Sequence, residues 1–360
     1  MLDIISRLRK TTNPPEAKPL PDSQPIRFGI LGAATIGPMA IIAPAKSLSE
    51  AVIYAVAARD KDRAAQYAKK HGIEKVFGGP SGYQGATQLP NGLHYEWTMK
   101  ALAAGKHVLL EKPAANTAEE TRQMFDSAEK KGLVLLEAVH YRFHPAVHRA
   151  KAILESGELG PIKSTHSSLA MPRGLFNPTN DIRFNYSVGG GALMDMGCYT
   201  IGPISVVSVE HELSSPQVDR KTTAKFELPG GITSTIMCDL SMPPYLGFVP
   251  NMPTFTVVVE CEKGQLEMFN YVAPHFMHSI SIKPVGKKGR VEKVYKYPDG
   301  EDWHSTYRHQ LEAFVSKVKG RTPRTWVTRE DSIKNMEVIE SVYAKSGLGS
   351  RPKSRYVPSD

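Results

Sequence analysis

A lysine stands at the carboxyl end of a short apolar run. His107-Val108-Leu109-Leu110 leads into Glu111-Lys112-Pro113, and in open α/β sheets that edge of a strand is where ligands bind. An amine held there, partly desolvated, is expected to have its pKa drawn down until it trades protons near neutrality. An ordinary surface lysine at a strand–loop junction reads the same way, so the tripeptide needs company. Gly189-Gly190-Gly191-Ala192-Leu193-Met194-Asp195-Met196-Gly197-Cys198-Tyr199 supplies it. Its glycines let backbone approach a ligand closely. Asp195 and Tyr199 stand four apart, on one face if the stretch is helical. A carboxylate and a phenol beside an amine form a proton-handling set. Asp195 would keep Lys112 charged or orient a substrate, and Tyr199 would pass a hydroxyl proton. A flexible loop with a capping aspartate and a half-buried tyrosine is the plainer reading of that stretch.

A second chemistry-bearing stretch follows the apolar run Ile26–Leu31. Gly32-Ala33-Ala34-Thr35-Ile36-Gly37 has the spacing of a dinucleotide fingerprint, with alanine at the middle position. Gly32 would make the tight turn, Ala34 would face the pyrophosphate, and Gly37 would let helix pack on strand. The amides that open the next helix would then point at phosphate. The second apolar run ends at Arg59-Asp60. An acid there bonds the ribose hydroxyls of NAD, whereas an arginine suits the extra phosphate of NADP. Asp60 is accounted for as a helix cap, so Arg59 favours NADP and leaves NAD open. Pro90-Asn91-Gly92-Leu93-His94 reads as a loop entering a helix on the nicotinamide side, near Glu111 and Lys112. No metal is expected.

These residues must be carried by alternating strands and helices. Strands are expected at Ile26–Leu31, Ala51–Ala58, Lys75–Phe77, His107–Leu110 and Leu133–Val139. Helices are expected at Lys61–His71, His94–Ala104 and Thr117–Lys131, with glycines 72, 105 and 132 as stops. The alternation implies a doubly wound parallel sheet. Beyond Pro145 the texture changes to short strand-like runs, with Pro229-Gly230-Gly231 as a hairpin turn, and two closing helices. The expected division is a disordered lead-in over 1–25, a dinucleotide-binding domain over 26–145, and an α+β substrate and oligomerisation domain with a largely antiparallel open sheet over 146–360.

Composition sets limits on function. A chain of 360 residues with 41% hydrophobic residues has the balance of a water-soluble globular protein. No apolar stretch is long enough for a bilayer, and the first ten residues mix Asp3 and Arg7 into an apolar run, unlike a signal peptide. The net charge of +9 is dispersed rather than blocked. It therefore points away from nucleic acid, and its potential would steer an anionic cofactor inward. Cys198, Cys238 and Cys261 have no metal-ligand spacing and an odd count, which fits a reducing cytoplasm.

Taken in order, these motifs resemble the Gfo/Idh/MocA oxidoreductase superfamily. The residues that carry the resemblance are Gly32 to Gly37, Pro90-Asn91 with His94, Glu111-Lys112-Pro113, Glu137-Ala138-Val139-His140-Tyr141-Arg142-Phe143-His144-Pro145, and the glycine stretch through Asp195 and Tyr199. Within the family they are similar to the branch of NADP-dependent D-xylose dehydrogenases and dihydrodiol dehydrogenases, of fungal type. The resemblance implies Lys112 as the catalytic lysine, Asp195 and Tyr199 as its partners, and a homodimer formed through the open sheet. The activity it implies is oxidation of an aldose such as D-xylose to its lactone, with a diol as the alternative substrate. A non-catalytic dinucleotide-binding sensor and an inactive truncated relative are the other readings. Two stretches depart from the family pattern. Between Phe77 and Pro90 there is too little chain for a crossover helix and the next parallel strand. Gly202-Pro203 also breaks a helix that the family continues after Ile201. The first departure predicts a parallel sheet lacking one central strand.

Overall fold

The computed structural model describes residues 2–18, 24–79, 89–179, 181–199, 205–249 and 251–358, the side chains of 2, 3 and 199 excepted. The chain opens with helix α1 (Leu2–Thr12). Strands β1 (Ile26–Leu31), β2 (Ala51–Ala58) and β3 (Lys75–Gly78) form a parallel sheet with β2 in the middle. Between β1 and β2 a π-helical turn, Pro38–Ile42, runs into α2 (Ala43–Lys46). Helix α3 (Lys61–His71) joins β2 to β3. The Asp60 carboxylate caps it by accepting from the Asp62 and Arg63 amides at 2.9 and 3.0 Å, and Gly72 closes it in the left-handed conformation. Then come α4 (Asn91–Ala103), β4 (Val108–Leu110), α5 (Ala118–Lys130) and β5 (Leu135–Glu137).

The second half begins with α6 (Pro145–Glu155), β6 (Ile162–Pro172) and the short α7 (Ala192–Met196). Strands β7 (Ser205–Ser215), β8 (Val218–Leu228), β9 (Ile232–Met242), β10 (Thr254–Cys261), β11 (Gly264–Phe269), β12 (Ser279–Pro284) and β13 (Arg290–Glu292) complete an eight-stranded sheet. Its order is β13-β12-β11-β10-β6-β9-β8-β7, antiparallel except for the β6–β9 pair. Helices α8 (Thr306–Val318) and α9 (Arg329–Ser346) close the chain. The core on one face of this sheet joins Leu169, Cys238, Leu240 and Val259 to Ala150 and Ile153 of α6, and Phe226 and Ile236 to Leu193, Met194 and the inner side of α9. Strands β12 and β13 are not marked in the sequence: β12 alternates for only four residues, Ser279 to Ile282, and β13 is three residues long at the edge of the sheet.

Two features differ from expectation or sharpen it. Residues 2–12, expected to be part of a disordered lead-in, form a helix docked on the second half of the chain. The Arg7 guanidinium lies 3.6 Å from the Tyr295 ring centroid and donates to the Phe276 carbonyl at 2.9 Å, and the Thr11 hydroxyl donates to the Trp303 carbonyl at 2.9 Å. Such partners, nearly 300 residues away, leave no local signature. The parallel strands, secondly, fall into two sheets. Among the described residues β1 pairs only with β2, β4 only with β5, and no strand stands between them. The two pieces are held by α8, whose Leu311 and Val315 pack on Ala45, Leu48 and Ala51, and whose Phe314 packs on Leu136 and Val139. This helix falls within 146–360 yet covers the first half. Most of the short link, residues 80–88, and the Gly202-Pro203 break lie outside the described residues.

Candidate active site

Lys112 leaves the carboxyl end of β4 after Glu111, on a turn whose Lys112–Pro113 peptide is cis. Its Nζ donates to the Asp195 carbonyl at 2.7 Å and to Asp195 Oδ1 at 2.8 Å. Arg183 Nε donates to the other carboxylate oxygen, Oδ2, at 3.0 Å, and Arg183 is itself braced by Asp181. The Lys112 and Asp195 side chains are 16% and 21% exposed, enough for a ligand to reach them. Burial pushes the Asp195 carboxyl up, but Lys112 and Arg183 outweigh it and hold it at about 2. Burial likewise opposes charge on the Lys112 amine. The Asp195 carboxylate outweighs that too, and the amine is held above its ordinary value. The expectation of a lysine titrating near neutrality is therefore corrected. A carboxylate at hydrogen-bond distance keeps this lysine an ammonium.

The turn is fixed from behind. His94, on α4 and 2% exposed, sets Nδ1 2.7 Å from the Pro113 carbonyl and Nε2 3.0 Å from the Leu89 carbonyl. Both ring nitrogens face main-chain carbonyls; burial lowers the pKa to about 4, and the neutral ring donates to one of the two carbonyls. The His94 side chain thereby supports the lysine turn. Glu137 ends β5 in full burial, 1% exposed, with Oε1 accepting from the Ala114 amide at 2.9 Å. Burial raises its carboxyl to about 7. Asn91, also expected on the cofactor side, donates from Nδ2 to the Gly189 carbonyl at 2.9 Å and so links α4 to the glycine stretch. Pro90 is the residue that caps α4, and Glu111 is exposed beside Lys112.

The glycine stretch places Asp195. Gly191 has φ 142°, and a Cβ there would come within 2.3 Å of Asp219 Oδ1, so only glycine fits. Asp219 Oδ2 accepts from the Leu193 amide at 2.9 Å in the first turn of α7. The α-helix ends at Met196 and tightens into a 3₁₀ turn over Gly197–Tyr199. The shared α-helical face expected of Asp195 and Tyr199 therefore does not run through to Tyr199, because the tighter winding changes the angle per residue. The Tyr199 side chain lies outside the described residues.

The fingerprint loop follows β1 as expected, with Gly32 at φ 100°. Its carbonyls are held from α3: Arg63 Nη2 donates to Ala33 O at 3.1 Å and the Tyr67 hydroxyl to Ala34 O at 3.3 Å. Among the described residues none accepts from the amides of Ala33, Ala34, Thr35 or Ile36. This arrangement fits a dinucleotide phosphate. Gly37 meets α3 rather than a strand, since a Cβ there would lie 2.3 Å from the Tyr67 hydroxyl. Arg59 is exposed at the end of β2, while Asp60 is committed to its cap. Among the described residues no group of His, Cys, Asp and Glu side chains could hold a metal ion.

The structure thus brings Lys112 and Asp195 together and adds residues the motifs did not mark. Arg183 sits in a single 3₁₀ turn, Ile182–Phe184, too short for any periodicity to point at Asp195. Glu137 had a signal, since it is the one ionisable residue in the apolar run Leu133–Val139. Arg63 lies one turn beyond Arg59, and its role is visible only once α3 is packed beside the loop.

Two family models match the chain. One, described as an oxidoreductase family with an NAD-binding Rossmann fold, covers residues 26–139, and one described as the GFO/IDH/MocA C-terminal domain covers residues 147–267. D-xylose 1-dehydrogenase (NADP(+)) 2 of Haloferax volcanii is 33% identical over 344 residues, spanning 90% of this chain and 98% of that protein. Trans-1,2-dihydrobenzene-1,2-diol dehydrogenase of Macaca fascicularis is 30% identical over 241 residues, spanning 60% of this chain and 69% of that protein. A 3-ketoreductase from Actinomadura kijaniata, solved with NADP and TDP-benzene, shares the fold with a TM-score of 0.73 at 24% identity, covering 92% of this chain and all of that one.

Proposed function

The chain belongs to the Gfo/Idh/MocA oxidoreductase family, and we propose that it is an NADP-dependent dehydrogenase that oxidises an aldose such as D-xylose to its lactone. The observation that carries this reading is the Lys112 ammonium, fixed on Asp195 at 2.8 Å at the carboxyl end of a parallel strand and still partly exposed. NADP, when bound, would supply the hydride acceptor for the substrate carbon. Gly32 to Gly37 would hold its phosphates, and Arg59 the additional one that distinguishes it from NAD. Lys112 stabilises the negative charge that grows on the substrate oxygen. Since Asp195 keeps the amine protonated, the hydroxyl proton passes to another group. Tyr199, four residues beyond Asp195, is the proposed relay: its hydroxyl oxygen takes the substrate proton as its own proton passes to solvent. The similarity to the Haloferax D-xylose dehydrogenase over nearly its whole length supports an aldose, and the dihydrodiol dehydrogenase relative supports a diol as the second candidate.

A homodimer, as part of this reading, would use the outer face of the eight-stranded sheet; its support is that α6, α7 and α9 all pack on the other face. Three buried free cysteines support a reducing cytoplasm. No described helix is long and apolar enough to cross a membrane.

The test is NADPH formation by the purified protein across a panel of aldoses and diols. D-xylose or a related aldose is the expected substrate. Lys112→Ala is expected to lower kcat by ~10²–10³-fold, the usual cost of removing one charge-stabilising donor, with NADP affinity kept. Absence of turnover on every sugar and diol, or full turnover by Lys112→Ala, would overturn the reading.

A further inference from the structure

The carboxy-terminal segment runs back across the molecule after α9. Arg351 is 2% exposed and enters the second half of the fold. Its Nη2 donates to Asp219 Oδ1 at 2.9 Å, its Nε donates to the Gly190 carbonyl at 2.8 Å, and its guanidinium lies 3.8 Å from the Tyr343 ring centroid. Asp219 also takes the Leu193 amide and the Tyr343 hydroxyl, and the same hydroxyl lies 3.3 Å from the Met194 amide. Backbone groups at 190, 193 and 194, directly ahead of Asp195, are thereby gripped from one side. The next residue faces the other half of the ion pair. The Pro352 carbonyl accepts from Asn116 Nδ2 at 2.7 Å, and Asn116 lies four residues after Lys112 on the same buried turn. Further on, the Ser354 amide donates to Glu120 Oε1 at 2.6 Å, Lys353 pairs with Glu119, and Tyr356 meets the Tyr95 ring edge-on at 6.5 Å.

We propose that Arg351 and Pro352 form a clasp that ties the turn bearing Lys112 to the stretch bearing Asp195 and so positions the pair. Lys112 and Asp195 sit on separate halves of the chain, so their separation depends on what spans the halves. Two adjacent tail residues do so, one bonded to each side. Asn91 spans the same gap through Gly189 and acts in parallel. Arg351, Pro352 and Asn116 are positioning groups and do not touch the reacting atoms. The kinetic consequence rests on the dehydrogenase reading above, whereas the geometric one does not.

The experiment uses the full-length protein with Asn116→Ala, which leaves the Arg351–Asp219 pair intact, and Arg351→Lys, which cannot reach both Gly190 and Asp219. Misplacement of a catalytic group by about 1 Å can cost ~10²-fold, so both variants should lose roughly 10- to 100-fold in kcat with KM for NADP unchanged. Independently of turnover, the Lys112 amine is titrated by NMR after reductive ¹³C-methylation and assigned by its loss in Lys112→Arg. Once released from Asp195, burial dominates, and the amine should titrate at lower pH than in the wild type. If Arg351→Lys fails to fold, Asn116→Ala decides. Wild-type kcat and an unmoved Lys112 titration in Asn116→Ala would overturn the clasp. A wild-type protein without turnover would overturn the dehydrogenase reading instead, and the amine titration would still decide the clasp.

Discussion

The charge at Lys112 is settled by the Asp195 carboxylate beside it, not by its strand. Asp195 and Arg183 hold carboxylate and ammonium in register, and the pair stays ionised across the neutral range. Glu137, behind the turn, titrates near neutrality. Its carboxyl has an ordinary value of 4.5 and is raised to about 7 by burial. An acid raised in the folded state binds more protons there than in the unfolded chain, so stability falls as pH rises from 4.5 through 7. Above 7 the cost is roughly 3 kcal/mol. Glu137→Gln keeps an acceptor for the Ala114 amide and carries no charge. Its Tm relative to wild type should therefore climb between pH 5 and pH 8. A pH-independent Tm difference would remove Glu137 from this account.

At the level of elements, the divided parallel sheet has a measurable consequence. A strand in a doubly wound sheet is ordinarily covered on both faces. In β1, Arg27, Gly29 and Leu31 are exposed. The Ile26 amide donates to the Glu50 carbonyl just ahead of β2 and the Gly32 amide to the Ala57 carbonyl in β2, both at 2.8 Å, so by alternation the amides of Arg27, Gly29 and Leu31 point to the side where no described strand stands. Those three amides should exchange with solvent faster than those of Ile26, Phe28 and Ile30, read residue by residue. Equal protection along β1 would mean that its outer edge is paired. The short link after Phe77 made this division legible, because chain length limits which crossovers are possible. The docking of α1 and the return of α8 were not legible, because both depend on surfaces far along the chain.

For the whole molecule, the junction between the two halves is packed with histidine. His144 has its ring centroid 5.9 Å from those of His278 and His309 and 6.5 Å from that of His275. His144 and His275 are fully buried and His309 is 8% exposed. Burial lowers all three, His275 to about 3. The unfolded chain takes up these protons near 6.5, so stability is complete above that pH and is lost as pH falls below it. At pH 5 the buried neutral His275 alone costs about 2 kcal/mol, a sizeable share of a typical net stability of ~5–15 kcal/mol, and His144 and His309 act in the same direction. Glu137 acts with the opposite sign over part of this range but is a single group. Thermal melts should show Tm dropping steeply from pH 6.5 to pH 5, and a flat profile would show that the rings are reached by water.

The sequence by itself determined the local units: the strand Ile26–Leu31 with its fingerprint turn, the Asp60-capped helix, and a lysine set at a strand end. Each is specified by contacts within a few residues, which periodicity and capping report. Only the tertiary structure decided the charge of that lysine, the main-chain partners of His94 and Asn91, and the burial of Arg351 against Asp219. These depend on groups that meet through space across tens to hundreds of residues, where burial and opposing charge set the energy and no local spacing records it.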